Sequence, residues 1–473
     1  MGVHKIYLKN VEMSWKRYFT AVKTFQDVPS FTAATEVYNT CRMHEAYASW
    51  HKEKGTLIRE RNKHGNDCLH VFRIQDFNKA YEGRSFNKDL SKGSRQMIQK
   101  YRMNNPTKFF SLGNSNRYNS SLELRDFVEF CHFGPERRML DYQLDFNMRK
   151  LILCILNTKN SDVDIFHCLL LLIYENMGHF MFNTSLESLS ALGNKEAFNM
   201  ILALLETSDI MYRSVYNVLR TGDYDLLKKN QDFLYSIIRR YVIQTTNSPK
   251  QSLTKLLQNL DMSTEQIITS FIDFFQESIE PVSLTLTWAL YHLARYPEIQ
   301  EEFRRKIRKT VSFPIHKSCF LKGGDKDLLY FHNGEIVDYF NKILVETFRL
   351  NYPTIGLKKV LSTSQNIGGY LIPANTLVTT QNQLVGRMAE YFPDPLKFDP
   401  ERDINYHTLI LMPFGFGQTC AASWLAKRQM LAALVRMISS FEISYHYNEI
   451  GSINKLYNHP EQIIYLTLKE TQI

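Results

Sequence analysis

No uninterrupted run of about 18 apolar residues occurs in the 473-residue sequence, so no membrane-spanning helix is expected. The nearest approach is Ile165 to Phe182, and its His167, Glu175, Asn176 and His179 mark it as a core helix. No apolar block follows the first charges, so a secretory signal peptide is not expected either. Cysteine is sparse: seven residues, an odd count, with no Cys-x-x-Cys. That argues against a disulfide framework or a zinc site and favours a reducing compartment. Long Lys/Arg blocks with interleaved aromatics are missing too. Nucleic acid is therefore not an expected partner, despite a net charge of +9. Internal repeats and low-complexity tracts are absent.

What is present is an ordinary globular composition, 44% hydrophobic and 22% charged, which excludes a disordered chain. Residues 1–23 carry Lys5, Lys9, Lys16, Arg17 and Lys23 against the single acid Glu12. With apolar residues on the opposite helical face, this is a candidate mitochondrial transit segment or a plain surface helix. Leu57-Ile58 and Leu69 to Phe72 read as strands, with a turn from Asn62 to Asn66. From 121 to 350 the pattern is helix after helix. Thr264 to Ala294 is one long pattern interrupted by Pro281, and Asp338 to Leu350 is amphipathic. Prolines and glycines then break the chain often, and Gly369 to Val378 reads as a hairpin. Ala421 to Phe441 reads as a final helix. The fold class is mainly α with a small β portion, in one large domain over 24–473.

Two motifs suggest chemistry. In Pro413-Phe-Gly-Phe-Gly-Gln-Thr-Cys420, Gly415 and Gly417 permit tight turns and close approach to a flat ligand. Cys420 then meets free N–H groups at the mouth of an apolar helix, which should lower its pKa from the usual value of about 8.5. Such a thiolate suits the axial position of a haem iron, and a structural cysteine beside a glycine turn is the plain alternative. In Glu346-Thr-Phe-Arg349 the two charges share a helix face. Arg402, from the loop Phe398-Asp-Pro-Glu-Arg402, could complete a buried, mutually satisfied network.

With these motifs in this order, the sequence resembles the cytochrome P-450 family of haem-thiolate monooxygenases from about Asp27 to the C-terminus. Thr285 to Pro297 looks like the latter half of that family's long central helix, and Gly369 to Pro373 and Val385-Gly-Arg387 also fit. The resemblance implies a haem b between the central helix and the Cys-loop helix. Cys420 would be the iron ligand, Phe414, Gly415 and Gly417 would border the haem, and Lys359 would lie near a propionate. It implies insertion of one oxygen atom from O2 into a lipophilic, sterol-like substrate, with electrons from a ferredoxin-type or reductase donor. Lys23 to Pro29 resembles the start of the mature domain in mitochondrial members, so the inner mitochondrial membrane, contacted peripherally, is preferred to the endoplasmic reticulum. An acidic ferredoxin would suit the +9 charge, with Arg304, Arg305, Lys306, Arg308 and Lys309 as one candidate docking face or a solvated helix surface.

The departures from the family pattern are specific. The Cys loop is one residue short between Gly417 and Cys420, where an Arg is usual, and Ala422 replaces a Gly. No Trp-x-x-x-Arg is evident, although Gly113 to Leu122 offers Arg117. Where the central helix usually reads Ala/Gly-Gly-x-Asp/Glu-Thr-Thr, this chain has Glu277-Ser-Ile-Glu-Pro-Val282. Pro281 replaces the Thr whose hydroxyl helps deliver protons in the family. Glu280 becomes the candidate proton relay and Ser278 (or Ser283) the candidate hydroxyl. The plainer reading of Glu277 and Glu280 is a kink that exposes both to water. Two other functions fit these departures: O2-independent rearrangement or dehydration of a lipid peroxide, and a degenerate fold that binds lipid without catalysis.

Overall fold

A computed structural model describes residues 23–32, 35–61, 67–81, 96–109, 136–158, 162–190, 194–248, 252–311, 325–403, 413–414, 420 and 422–471. The transit-segment reading of residues 1–22, the turn at 62–66, Arg117, Gly415 and Gly417 therefore lie outside the described residues.

The architecture is organised by one 32-residue helix, Thr264–Arg295. Its start is fixed by a capping box: Ser263 Oγ accepts the Gln266 N–H at 3.2 Å, and Gln266 Oε1 accepts the Ser263 N–H at 2.7 Å. Ile165–Phe182, Asp223–Thr246, Gly334–Leu350 and Ser423–Ser440 pack around it. The sequence pattern predicts an interruption at Pro281, but the helix runs through it. A proline removes one backbone bond, and buried Ile279, Val282 and Leu286 hold the flanks in place. Ile165–Phe182 is the one described helix long and apolar enough to cross a membrane, and 72% of it is buried inside the protein. The Glu346 helix begins at Gly334, a turn before the expected Asp338, because Asn333 Oδ1 caps the Ile336 N–H at 3.0 Å.

A smaller core lies under a five-stranded sheet in the order Ser30–Phe31, Leu57–Glu60, Cys68–Val71, Leu377–Thr380, Lys358–Val360. The hairpin expected over Gly369 to Val378 is corrected. The turn is Gly368-Gly369, with φ of 59° and 89°, and it pairs Gln365–Ile367 with Tyr370–Ile372. Leu377–Thr380 leaves that ribbon and joins the larger sheet instead, between Cys68–Val71 and Lys358–Val360.

Candidate active site

Cys420 stands three residues before the helix Ser423–Ser440. Its N–H donates to the Phe414 carbonyl at 2.7 Å, and its carbonyl accepts the Ser423 N–H at 3.1 Å. These bonds pin both ends of the shortened loop. Cys420 is exposed, while the protein packed around it desolvates the thiol and pushes its pKa above the ordinary value. The backbone N–H groups of Ala422 and Ser423 act the other way, and the Glu277 charge raises it again. The expected lowering is thus corrected: the helix-end N–H groups act in the foreseen direction but are outweighed.

Glu277 is the only exposed residue of the central helix between Thr264 and Ala294. Glu277 lies close enough to Cys420 for its charge to act on the thiol. One turn earlier, Asp273 is paired with Arg102 at 3.0 Å. The residues expected to carry protons lie elsewhere. Ser278 donates to the Phe275 carbonyl of its own helix at 3.4 Å. Glu280 is buried, with Oε1 2.8 Å from His459 Nε2 and Oε2 buried without a partner. His459 belongs to the hairpin Ser452–Asn454/Asn458–Pro460 and meets Phe166 edge-on at 6.1 Å. Of the two acids, only Glu277 is exposed as a kink would make it. No local signal connects His459 to Glu280, so sequence reasoning missed that pair.

The charged network does assemble. Arg349 donates from Nε and Nη2 to the two Glu346 oxygens, each at 2.7 Å, and both side chains are fully buried. Arg402 Nε lies 3.4 Å from the same carboxylate, and the Asp399 N–H donates to it at 2.9 Å. Gly386 must be bare, since a Cβ would sit 2.4 Å from the Arg349 carbonyl. Lys359 lies on Lys358–Val360 opposite Val378, half-buried, and burial lowers its pKa. Phe414 is half-buried and meets Phe348 edge-on at 6.1 Å. The basic run is only partly a surface. Arg304 is buried and donates to the carbonyls of Ile438 and Phe441.

Among the described residues no group of three or more His, Cys, Asp or Glu could hold a metal ion. A single exposed cysteine, its backbone held by Phe414 and Ser423 ahead of a buried helix, fits a different role, ligation of a haem iron. A long buried helix packed on the helix that follows Cys420, with a buried Glu-x-x-Arg pair on a third, has the architecture of the haem-thiolate class. The cytochrome P-450 family profile matches residues 129–467, and the chain belongs to that family. The chain is 24% identical over 265 residues to cytochrome P-450 302a1, mitochondrial, of Drosophila melanogaster, covering 54% of this chain and 52% of that protein. It is 30% identical over 204 residues to the sterol 26-hydroxylase, mitochondrial, of Mus musculus (40% and 35%). It is 26% identical over 315 residues to the cholesterol side-chain cleavage enzyme, mitochondrial, of Oncorhynchus mykiss (62% and 59%). The matched part spans between about a third and three fifths of those relatives' length.

Proposed function

We propose that this chain is a haem-thiolate monooxygenase acting on a lipophilic, sterol-like substrate, with electrons from a ferredoxin-type or reductase donor. The observation that carries the reading is Cys420, whose backbone is held by Phe414 and Ser423 at the start of the helix Ser423–Ser440, which packs against the central helix. Haem b supplies the O2 chemistry when bound: one oxygen atom enters the substrate and the other leaves as water. The residues of the chain do the rest. Cys420 would hold the haem iron through its sulfur. Phe414 would border the haem, and Lys359 would pair with one of its propionates. Glu280, paired with His459, would be the proton relay and Ser278 the candidate hydroxyl, both on the central helix. Glu346, Arg349 and Arg402 fix the segment that leads into the Cys loop. The mitochondrial names of the relatives support a mitochondrial site, peripheral contact with the inner membrane, and a transit role for residues 1–23.

The reduced carbon-monoxide difference spectrum of the full, haem-supplemented chain tests this. The expected result is a strongly red-shifted Soret band that Cys420→Ala abolishes. Absence of haem, or a band typical of a neutral ligand, overturns the reading. Pro281, which has no hydroxyl, favours a second reading, the rearrangement of a lipid peroxide. Turnover of such a peroxide without an electron donor would select it.

A further inference from the structure

A second cluster of chemically active side chains lies on one face of the five-stranded sheet. Cys68 and His70 are two apart on Cys68–Val71 and so point to the same side. Glu60 stands opposite Cys68 on the neighbouring strand. On the other flank Thr379 lies beside His70, and Lys358 lies opposite Thr379 on the edge strand. His70 Nε2 is 2.8 Å from Glu60 Oε2, and the Gln381 amide reaches its Nδ1 at 2.8 Å. Cys68 Sγ is 3.3 Å from Thr379 Oγ1. Two tyrosines link the ends of the cluster. Tyr38 donates its hydroxyl to Glu60 and stacks on Tyr216 at 4.6 Å, and Lys358 Nζ donates to the Tyr216 hydroxyl at 3.3 Å. His70 is buried, whereas Cys68 is half-buried.

Burial disfavours the thiolate, the form of cysteine that reacts. Cys154 and Cys168 show this: burial pushes the first thiol up and the second to about 12. Cys68 has a different setting, because two basic side chains share its face with a single carboxylate. Burial works to lower the His70 pKa, yet Cys68 and Glu60 together lift it to about 10. Burial likewise opposes the charge on Lys358, which Tyr216 and Cys68 sustain. We propose that Cys68 is a modification site, a thiol activated by His70 and Lys358 for exchange with low-molecular-weight disulfides. The sulfur, its proton passed to His70, attacks one sulfur of the disulfide. That S–S bond breaks as the new one to Cys68 forms, and the departing half leaves as a thiol with the proton that His70 held. Cys68 is oxidised and the departing half is reduced, so no further reagent is needed. The haem reading and Cys420 play no part in this.

The test incubates the full chain with oxidised glutathione and follows each cysteine by peptide mass spectrometry, folded and in urea. In the folded chain Cys68 is expected to gain the glutathionyl group about tenfold faster than Cys154 or Cys168. It should also react faster folded than unfolded. Partial burial alone would slow it, so an acceleration on folding belongs to the neighbouring side chains. His70→Gln should slow Cys68 about tenfold in the folded chain. Lys358→Met, on the edge strand, should slow it severalfold and decides the matter if His70→Gln does not fold. A Cys68 that reacts no faster folded than unfolded overturns the inference. So does a rate that survives the substitution of His70 or, where that variant is unfolded, of Lys358.

Discussion

Arg349 uses every hydrogen it has. Its five N–H groups meet five acceptors: the two Glu346 oxygens and the carbonyls of Gly386, Pro395 and Lys397. A lysine offers three donors from one point and cannot reproduce a planar fork. Arg349→Lys should therefore leave buried carbonyls unmet and destabilise the fold by about 3–5 kcal/mol, the range for breaking a buried pair. Urea unfolding with an unchanged slope would measure it. His292, close by, makes a pH prediction. Burial holds its pKa down at about 3, against a bond to Asn351 Oδ1 at 2.7 Å, and the Arg387 charge adds to the lowering. Phe398 stacks on the ring at 4.6 Å. The unfolded chain takes up this proton near pH 6.5 and the folded chain does not. Stability is thus intact above pH 6.5 and falls toward pH 3, by up to about 1.4 kcal/mol per pH unit. His292→Gln should flatten the decline of the urea midpoint across that window. An unchanged slope would show that His292 is not its source.

At the scale of elements, Pro281 is the clearest lever. Its ring removes one bond in the middle of the helix that organises the fold, a loss of about 3 kcal/mol in a helix interior. Pro281→Ala restores that N–H toward the Glu277 carbonyl and also loosens the unfolded chain slightly. The expected net effect is a stabilisation of about 2 kcal/mol, read as a higher urea midpoint. If the midpoint does not rise, the local backbone has already adapted to the ring. What the sequence made legible at this scale follows the range of each signal. The apolar repeat from Thr264 to Ala294 and the Glu346–Arg349 spacing are local, and both describe what the chain forms. The reading at Gly369 failed because strand periodicity does not name a partner. Gly368 and Gly369 close one ribbon, while Leu377–Thr380 crosses to another sheet. The Glu280–His459 contact was illegible for the same reason: a hairpin far along the chain supplies the histidine.

For the whole molecule the open question is where its net charge of +9 is displayed. The basic run on Pro297–Thr310 is largely answered within the protein. Arg305 is paired with Glu302 at 2.7 Å, and Lys306 and Lys309 reach Glu335 at 3.1 and 3.6 Å. Arg304 points inward. A field that steers an acidic partner needs charge that is not cancelled within a Debye length, about 8 Å at physiological salt. Added salt should therefore slow reduction by an acidic ferredoxin through the molecule's overall surplus, while Lys309→Ala shifts the rate at low salt by less than twofold. Arg308→Ala should behave alike, because Arg308 lies 3.9 Å from Glu301. Stopped-flow reduction over a range of ionic strengths decides it. If either substitution flattens the salt dependence, Pro297–Thr310 is the docking face. If neither does, the partner is drawn to basic residues elsewhere on the protein, and the local acids of this helix explain why a run so conspicuous in the sequence carries little weight in the fold.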